Sequence, residues 1–126
     1  MELSSFFFTF SHNIKLYHWQ TPIYSRHIAS DTLFTTLATL MDKLMEVYQG
    51  RYGRVKTPKQ FTLSVSSCDD KEIIKYLELT SSILQKLGTR DDVLHSEIKA
   101  SDTDMLNIRD ELVGAINQTV YLFQFK

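Results

Sequence analysis

The chain contains few of the residues that interrupt helices or cross-link a fold. Its 126 residues include one cysteine, two prolines and four glycines. A single cysteine excludes an internal disulfide framework, and so few helix breakers favour long helices. No apolar run is long enough to span a membrane, and the first residues lack the positive region of a signal peptide. We therefore expect an intracellular, cytoplasmic protein.

A strong charge of either sign is also missing. The chain has 14 basic and 15 acidic residues and a net charge of −1. Without an overall basic bias, nucleic acid is not an implied partner. A hydrophobic content of 43% is ordinary for a globular protein, and a chain of this length can bury one core. We expect residues 1–126 to form a single domain.

Apolar residues recur at spacings of three and four along most of the chain, which is the period of an amphipathic helix. The pattern predicts helices from about Leu3 to Trp19 and from about Tyr24 to Tyr48. A third helix is expected after Ser67, with Asp69 or Asp70 as its cap, and Val93, Leu94 and Ile98 could continue it beyond Gly88. A fourth should run from Ser101–Asp102 almost to Lys126.

The connection at residues 51–68 is too long for a tight hairpin between neighbouring helices. Within it, Phe61, Leu63 and Val65 alternate, so this part could be a short extended stretch or a helical turn on the bundle. Four helices with one long connection between the second and the third form the ferritin-like kind of four-helix bundle. The expected fold is therefore an all-α, ferritin-like bundle.

Five residues in the first half have the spacing of a metal site. They are His18, His27, Asp31, Asp42 and Glu46. Eleven helical residues bring a side chain back to within roughly 20° of its starting direction, so the last four share one stripe of the second helix. Imidazole and carboxylate together suit iron, zinc or manganese. Either pair alone would be an ordinary solvated helix face, but two pairs in phase favour a shared site.

The two pairs cannot hold one metal ion within one chain, because eleven helical residues span about 16 Å. A second copy of the helix resolves this. If two such helices pack antiparallel about a two-fold axis between Thr36 and Leu37, Asp31 faces the partner's Asp42 and His27 faces the partner's Glu46. The residue numbers of each facing pair add up to 73. His18, at the end of the first helix, could complete each of the two equivalent sites.

The combination of His18–Trp19, His27-x-x-x-Asp31 and Asp42-x-x-x-Glu46 resembles the Dps proteins, or mini-ferritins. The resemblance is close over residues 14–50 and elsewhere extends only to the order of the helices. It implies a homo-oligomer, a hollow dodecamer, with iron sites shared across a two-fold interface through the second helix. His18, His27 and Asp31 would come from one subunit, and Asp42 and Glu46 from its partner, with Trp19 near the site.

The activity implied by this resemblance is that of a ferroxidase, which oxidises Fe(II) with peroxide or oxygen and stores ferric iron, protecting against oxidative damage. Zinc or manganese could substitute for iron. The stretch between the two histidines is shorter than in that family, and the Lys-rich tail that some members use on DNA is absent, so DNA binding is not implied. Residues 48–54 resemble Dps-like proteins of large DNA viruses, which would allow a place in the virion.

Other readings of the sequence remain open. The protein could be a structural or virion-associated Dps-like bundle without ferroxidase turnover. A di-iron site inside one bundle would need Glu-x-x-His on two helices, and the chain offers only Asp92-x-x-His95. Phe6 and Phe8 lie off the main apolar stripe of the first helix and could mark a subunit interface. His12 and the pair Asp110–Glu111 read as exposed, and Cys68 as structural.

Overall fold

The computed structural model describes residues 2–126, and within that range it contains four helices and no strand. We number them α1 (Glu2–Gln20), α2 (Tyr24–Tyr52), α3 (Ile73–Gln85) and α4 (Thr103–Leu122). The prediction of an all-α chain with four helices is confirmed. The second helix is one turn longer than predicted, because Gly50 continues the helix and only Gly53, with a φ of 91°, ends it.

Helices α1 and α2 form an antiparallel hairpin joined by residues 21–23. Pro22 prevents α1 from continuing, since its ring cannot occupy a helix interior. The apolar stripe predicted for α1 is the side that is buried, and it consists of Leu3, Phe7, Phe10, Ile14 and Tyr17. On α2, Leu33, Leu37, Leu40, Leu44 and Tyr48 face the same core. The hairpin therefore supplies about half of the bundle core.

Helix α4 packs against both α2 and α3, so the helices follow the order α1, α2, α4, α3 around the bundle. Phe10 of α1 meets Tyr76 of α3 with ring centroids 6.0 Å apart, which closes the ring of helices. At one end, α1 and α4 finish while α2 and α3 begin. Helix α2 thus keeps one long face outside the bundle.

The long connection runs back along the bundle from the end of α2 to the start of α3, as predicted. Residues 53–69 contain neither helix nor strand, so Phe61, Leu63 and Val65 form no regular element. Asn13 holds this segment, because its side chain donates to the Tyr76 hydroxyl and accepts from the Ser66 amide, both at 2.9 Å. Phe61 stacks edge to face on Phe8, which partly covers an aromatic ring that the sequence left off the core stripe.

The third helix differs from its prediction at both ends. The Asp69 carboxylate does cap a turn, accepting the Lys71 and Glu72 amides at 2.9 and 2.8 Å, but regular helix begins only at Ile73. The proposed continuation through Val93, Leu94 and Ile98 is wrong. Gly88 has a φ of 81°, which leaves the helical region, and the chain to Asp102 forms turns.

Asp102 was predicted to cap α4, and it does stand at the N-cap position, but its side chain caps no amide of that helix. Its buried carboxylate instead accepts hydrogen bonds from the Tyr52 hydroxyl and, at 2.8 Å, from the Lys99 amide. These contacts lower the pKa of Asp102, the Tyr52 hydrogen bond most strongly. A lowered carboxyl pKa stabilises the fold above the ordinary value of 3.8, and this contribution is lost as the pH falls below it.

We therefore expect Asp102→Asn to lower the melting temperature at neutral pH, because an amide accepts these hydrogen bonds less strongly than a carboxylate. The difference from the wild type should shrink as the pH falls below 3.8. Thermal unfolding across a pH series measures both effects. Asp91→Asn is the matched control, since the Asp91 side chain is 68% exposed. A difference between Asp102→Asn and wild type that is independent of pH would contradict the assignment.

Candidate metal centre

The two histidines of the predicted site meet where α1 ends and α2 begins. His18 Nδ1 lies 2.7 Å from the His27 carbonyl oxygen, and His27 Nδ1 lies 2.8 Å from the His18 carbonyl oxygen. A carbonyl oxygen can only accept, so each Nδ1 carries the proton and donates. In the neutral imidazole this leaves the lone pair on Nε2, which is the arrangement of a metal-binding histidine.

The two rings are stacked, with centroids 4.0 Å apart and planes inclined by 15°. His18 is buried, and His27 is half-buried. The buried Ser30 supports the pair, because its hydroxyl donates to the His27 carbonyl at 3.1 Å and lies 3.3 Å from His18 Nδ1. The shorter stretch between the histidines thus still allows His18 to reach His27, through a turn of only three residues.

Asp31 lies beside the histidine pair. Its Oδ1 is 3.9 Å from His18 Nε2 and 3.1 Å from the Lys15 ammonium, whose nitrogen also sits 4.1 Å from the centre of the Phe34 ring. The hydrogen bond from Lys15 lowers the pKa of Asp31, and the two histidines add to the effect. Asp31 is therefore a carboxylate at neutral pH, held by a cation that a metal ion would have to displace.

Asp42 and Glu46 form the second half of the predicted site. Both side chains are exposed on the face of α2 opposite its buried leucines. A hydrogen bond with Asp42 raises the pKa of Glu46, and the negative charge of Asp42 raises it further. Two carboxylates in this relation repel each other when both are ionised, so a divalent cation between them would relieve the repulsion.

The structure brings His18, His27 and Asp31 together and leaves Asp42 and Glu46 farther along α2. Among residues 2–126, no three His, Cys, Asp or Glu side chains of one chain are grouped closely enough to hold a metal ion. His18, His27 and Asp31, the three residues predicted for one half of the site, therefore lie near one another without forming a metal-binding group within the single chain. All four ligands contributed by α2 lie on its outer face, where another molecule can reach them.

Several residues that support the histidine pair were not identified from sequence. Arg26 donates to the Asp70 carbonyl at 2.8 Å and to the Phe123 carbonyl at 3.1 Å, which ties α2 to the start of α3 and the end of α4. The Asp70 carboxylate accepts from Tyr17 at 2.7 Å and Thr21 at 2.8 Å. Only Lys15 had a sequence signal, because it precedes His18 by three residues and so shares its side of α1.

The remaining candidates lie where the sequence suggested. His12 and His95 are exposed, and Asp110 is paired with Arg109 at 2.6 Å on the surface. Trp19 follows His18 directly, but its side chain is 70% exposed at the end of α1. Tyr24 stacks beside His27 with ring centroids 6.2 Å apart, which the sequence did not indicate. In the described residues, no helix is long and apolar enough to cross a membrane.

Comparison with known proteins identifies a matching family model and a curated relative. A family model described as "Family of unknown function (DUF5856)" matches residues 18–123. A curated relative, named "Uncharacterized 14.6 kDa protein in mobD-ri intergenic region", comes from Enterobacteria phage T4 and is 35% identical over 82 residues. The match covers 60% of this chain and 64% of the relative. No solved structure matches the chain.

Proposed function

The chain belongs to the DUF5856 family, whose function is unknown, and we propose that it is a mini-ferritin-like protein that binds and oxidises Fe(II) between two subunits. The observation that carries the proposal is the reciprocal hydrogen bonding of His18 and His27. Each ring donates through Nδ1 to the other residue's carbonyl, at 2.7 and 2.8 Å, so both rings are fixed with Nε2 available. A histidine whose Nδ1 donates to a carbonyl oxygen is in the form that binds a metal ion through Nε2.

The ligand types fit iron as a substrate. Two imidazoles and Asp31 would come from one subunit, and Asp42 with Glu46 from its partner. Mixed nitrogen and oxygen ligands bind Fe(II), and the anionic carboxylates favour the higher charge of Fe(III). When peroxide is the oxidant, two ferrous ions each give up one electron, the O–O bond breaks, and two protons are taken up to form water. The protein itself would hold the ligands in place, and its carboxylates would compensate the positive charge of the iron.

The arrangement of the helices supports the same family resemblance. The order α1, α2, α4, α3 and the long connection between α2 and α3 are compatible with the ferritin-like bundle that the resemblance implies. By that resemblance, two-fold pairs assemble further into a hollow dodecamer that stores ferric iron. The phage relative makes a viral origin, and a role in an infected cell, part of the proposal.

The test is Fe(II) oxidation by the purified protein, followed by absorbance near the ultraviolet ferric band with peroxide and with oxygen. We expect Asp42→Ala/Glu46→Ala to lose at least about a hundredfold in rate, because loss of residues that only support the ligands of a metal already costs about 10–100-fold. Asp110→Ala/Glu111→Ala is the matched control, because these two carboxylates are exposed on α4. Oxidation no faster than in buffer, from protein that still self-associates, would refute the proposal.

One observation favours a second candidate, a structural bundle that does not turn over iron. Lys15 already neutralises Asp31 at 3.1 Å, so part of the ligand set is satisfied without metal. In that case the protein would associate through α2 and serve as an assembly component, for example of a virion. The Fe(II) oxidation assay distinguishes the two candidate functions, since only the first predicts oxidation that depends on Asp42 and Glu46.

A further inference from the structure

The side chain of Lys15 crosses from α1 to α2 and ends beside the histidine pair. Its ammonium nitrogen lies 3.1 Å from Asp31 Oδ1 and 4.1 Å from the centre of the Phe34 ring. The Lys15 side chain is only 25% exposed, so this charge is partly removed from water. An aromatic ring attracts an ammonium ion through its negative face. Lys15 is therefore held by two groups, and only one of them, the Asp31 carboxylate, could also bind a metal ion.

The oxygen that accepts from Lys15 also lies close to His18. Asp31 Oδ1 is 3.9 Å from His18 Nε2, the ring nitrogen that the Nδ1 hydrogen bond leaves with a lone pair. Metal–ligand bonds are about 2.0–2.2 Å long, so an ion bound to this oxygen would lie within about 5 Å of the ammonium nitrogen. The Phe34 ring would hold the ammonium nearby after a metal ion had displaced it from Asp31. The positive charge therefore stays at the centre when iron binds.

We propose that Lys15 makes the iron centre favour divalent over trivalent ions, so that Fe(III) leaves once it has formed. The inference rests on the proposed function, in which Asp31 shares a centre with the partner's Asp42 and Glu46. Three carboxylates bring three negative charges, and the imidazoles bind metal in their neutral form. Lys15 offsets one of these charges. One Fe(II) balances the two that remain, whereas one Fe(III) exceeds them by one positive charge.

Without Lys15, the same ligands would match the charge of Fe(III) better than that of Fe(II). Three carboxylates balance a trivalent ion completely, and an ion retained after oxidation would block the centre to further Fe(II). Electrostatic energy scales with the product of the charges, so the ammonium repels Fe(III) half as much again as Fe(II). The carboxylates thus favour oxidation, and Lys15 favours the release of its product, which storage requires.

Calorimetric titration with Zn²⁺ and with Tb³⁺ tests this selectivity without any oxidation. Zn²⁺ has no redox chemistry and represents the divalent ion, and Tb³⁺ represents an oxygen-preferring trivalent ion. Lys15→Met removes the charge but keeps a flexible apolar side chain to pack on Phe34. We expect this variant to bind Zn²⁺ more tightly, because Asp31 is released from its ion pair. Its gain in affinity for Tb³⁺ should be at least about tenfold larger than its gain for Zn²⁺.

Three further variants separate the charge of Lys15 from other effects. Lys15→Arg keeps the charge, so the ratio of the Zn²⁺ and Tb³⁺ affinities should stay as in the wild type. Lys43→Met removes a positive charge from an exposed position of α2 and should also leave the ratio unchanged, because water and salt screen an exposed charge. Asp42→Ala/Glu46→Ala should weaken the binding of both ions at least about a hundredfold, which assigns them to the shared centre. Circular dichroism verifies that each variant is folded.

Equal gains in Zn²⁺ and Tb³⁺ affinity for Lys15→Met would overturn the inference, because Lys15 would then only compete for Asp31. Binding of neither ion, by the wild type or by Lys15→Met, would overturn it together with the shared centre. The expected change of the ratio in a protein that does not oxidise Fe(II) would refute the proposed function and leave the selectivity standing. Fe(II) oxidation that depends on Asp42 and Glu46, with an unchanged ratio, would do the reverse.

Discussion

Two inactive variants should restore each other's iron oxidation when they are combined. His27→Ala removes a ligand from one half of the site, and Asp42→Ala/Glu46→Ala removes the other half. In a mixed dimer, one of the two sites receives both intact halves, and the other receives both defects. Random exchange makes half of the dimers mixed, so about a quarter of the sites become complete. We expect about a quarter of the wild-type rate after the two variants are unfolded together in urea and refolded.

The same treatment of each variant alone is the control, and it should give no recovery. Size-exclusion chromatography of the refolded samples shows whether subunits have reassociated. If each site lay within one chain, the mixture would stay as inactive as its components, because no combination of chains could complete a site. Recovery therefore tests the sharing of ligands directly, whichever oxidant is used.

A larger side chain at the centre of α2 should separate the subunits and abolish iron oxidation. In the antiparallel pairing of two α2 helices, the numbers of facing residues add up to 73. Ala38 therefore lies opposite the partner's Thr35, next to the two-fold axis. Such small residues allow two helix axes to approach to about 8 Å. Ala38→Leu inserts a bulky group there, and overpacking of this kind costs roughly 1–3 kcal/mol, or about 5- to 150-fold in dimer affinity. We expect sedimentation to show monomers and iron oxidation to fall with them.

The fold of the single chain should survive this change, because Ala38 is only half-buried whereas its neighbour Leu37 is fully buried. Its melting temperature, measured at a concentration where both proteins are monomeric, should match that of the wild type. Asn117→Leu is the matched control, since it adds the same side chain to an exposed position of α4. An Ala38→Leu protein that dimerises and oxidises iron like the wild type would show that α2 does not form the interface.

The helices could be predicted because most of the relevant information is local. Phe7, Phe10 and Ile14 are spaced so that only a helix puts them on one side, and that side is the buried one. The error at residues 93–98 has a physical cause. Val93, Leu94 and Ile98 have helical spacing, but Gly88 turns the chain away first.

The turns that replace helix there are stabilised from a distance, which is why the sequence did not reveal them. Arg109 of α4 donates to the carbonyls of Leu84, Gln85 and Leu87 at 3.0, 3.1 and 3.2 Å, so the end of α3 is satisfied by another helix. No local pattern marks an arginine as the cap of a helix more than twenty residues earlier.

The candidate site also combines features set by local sequence with features set by contacts between separate helices. The pairs His27–Asp31 and Asp42–Glu46 follow from a spacing of four on one helix. The stacking of His18 on His27 depends on the path of the turn at residues 21–23, and the contact of Lys15 with Asp31 depends on how closely α1 and α2 approach. Neither is a property of one helix, so sequence periodicity could place the ligands in order but not their supporting contacts.

The hydrogen bonds of Arg26 to the Asp70 and Phe123 carbonyls have a consequence for the order of folding. The histidines pair across only nine residues, so the α1–α2 hairpin can form their contact early and at little cost in loop entropy. Arg26 reaches Phe123 across 97 residues, a contact that can close only when the whole chain has come together. We expect amide exchange to be slow at Ser30 and Leu33 and faster after Leu122. The residues after Leu122 would then detach from the bundle before the histidine pair is lost, so the last part of the protein to assemble would be the first to unfold.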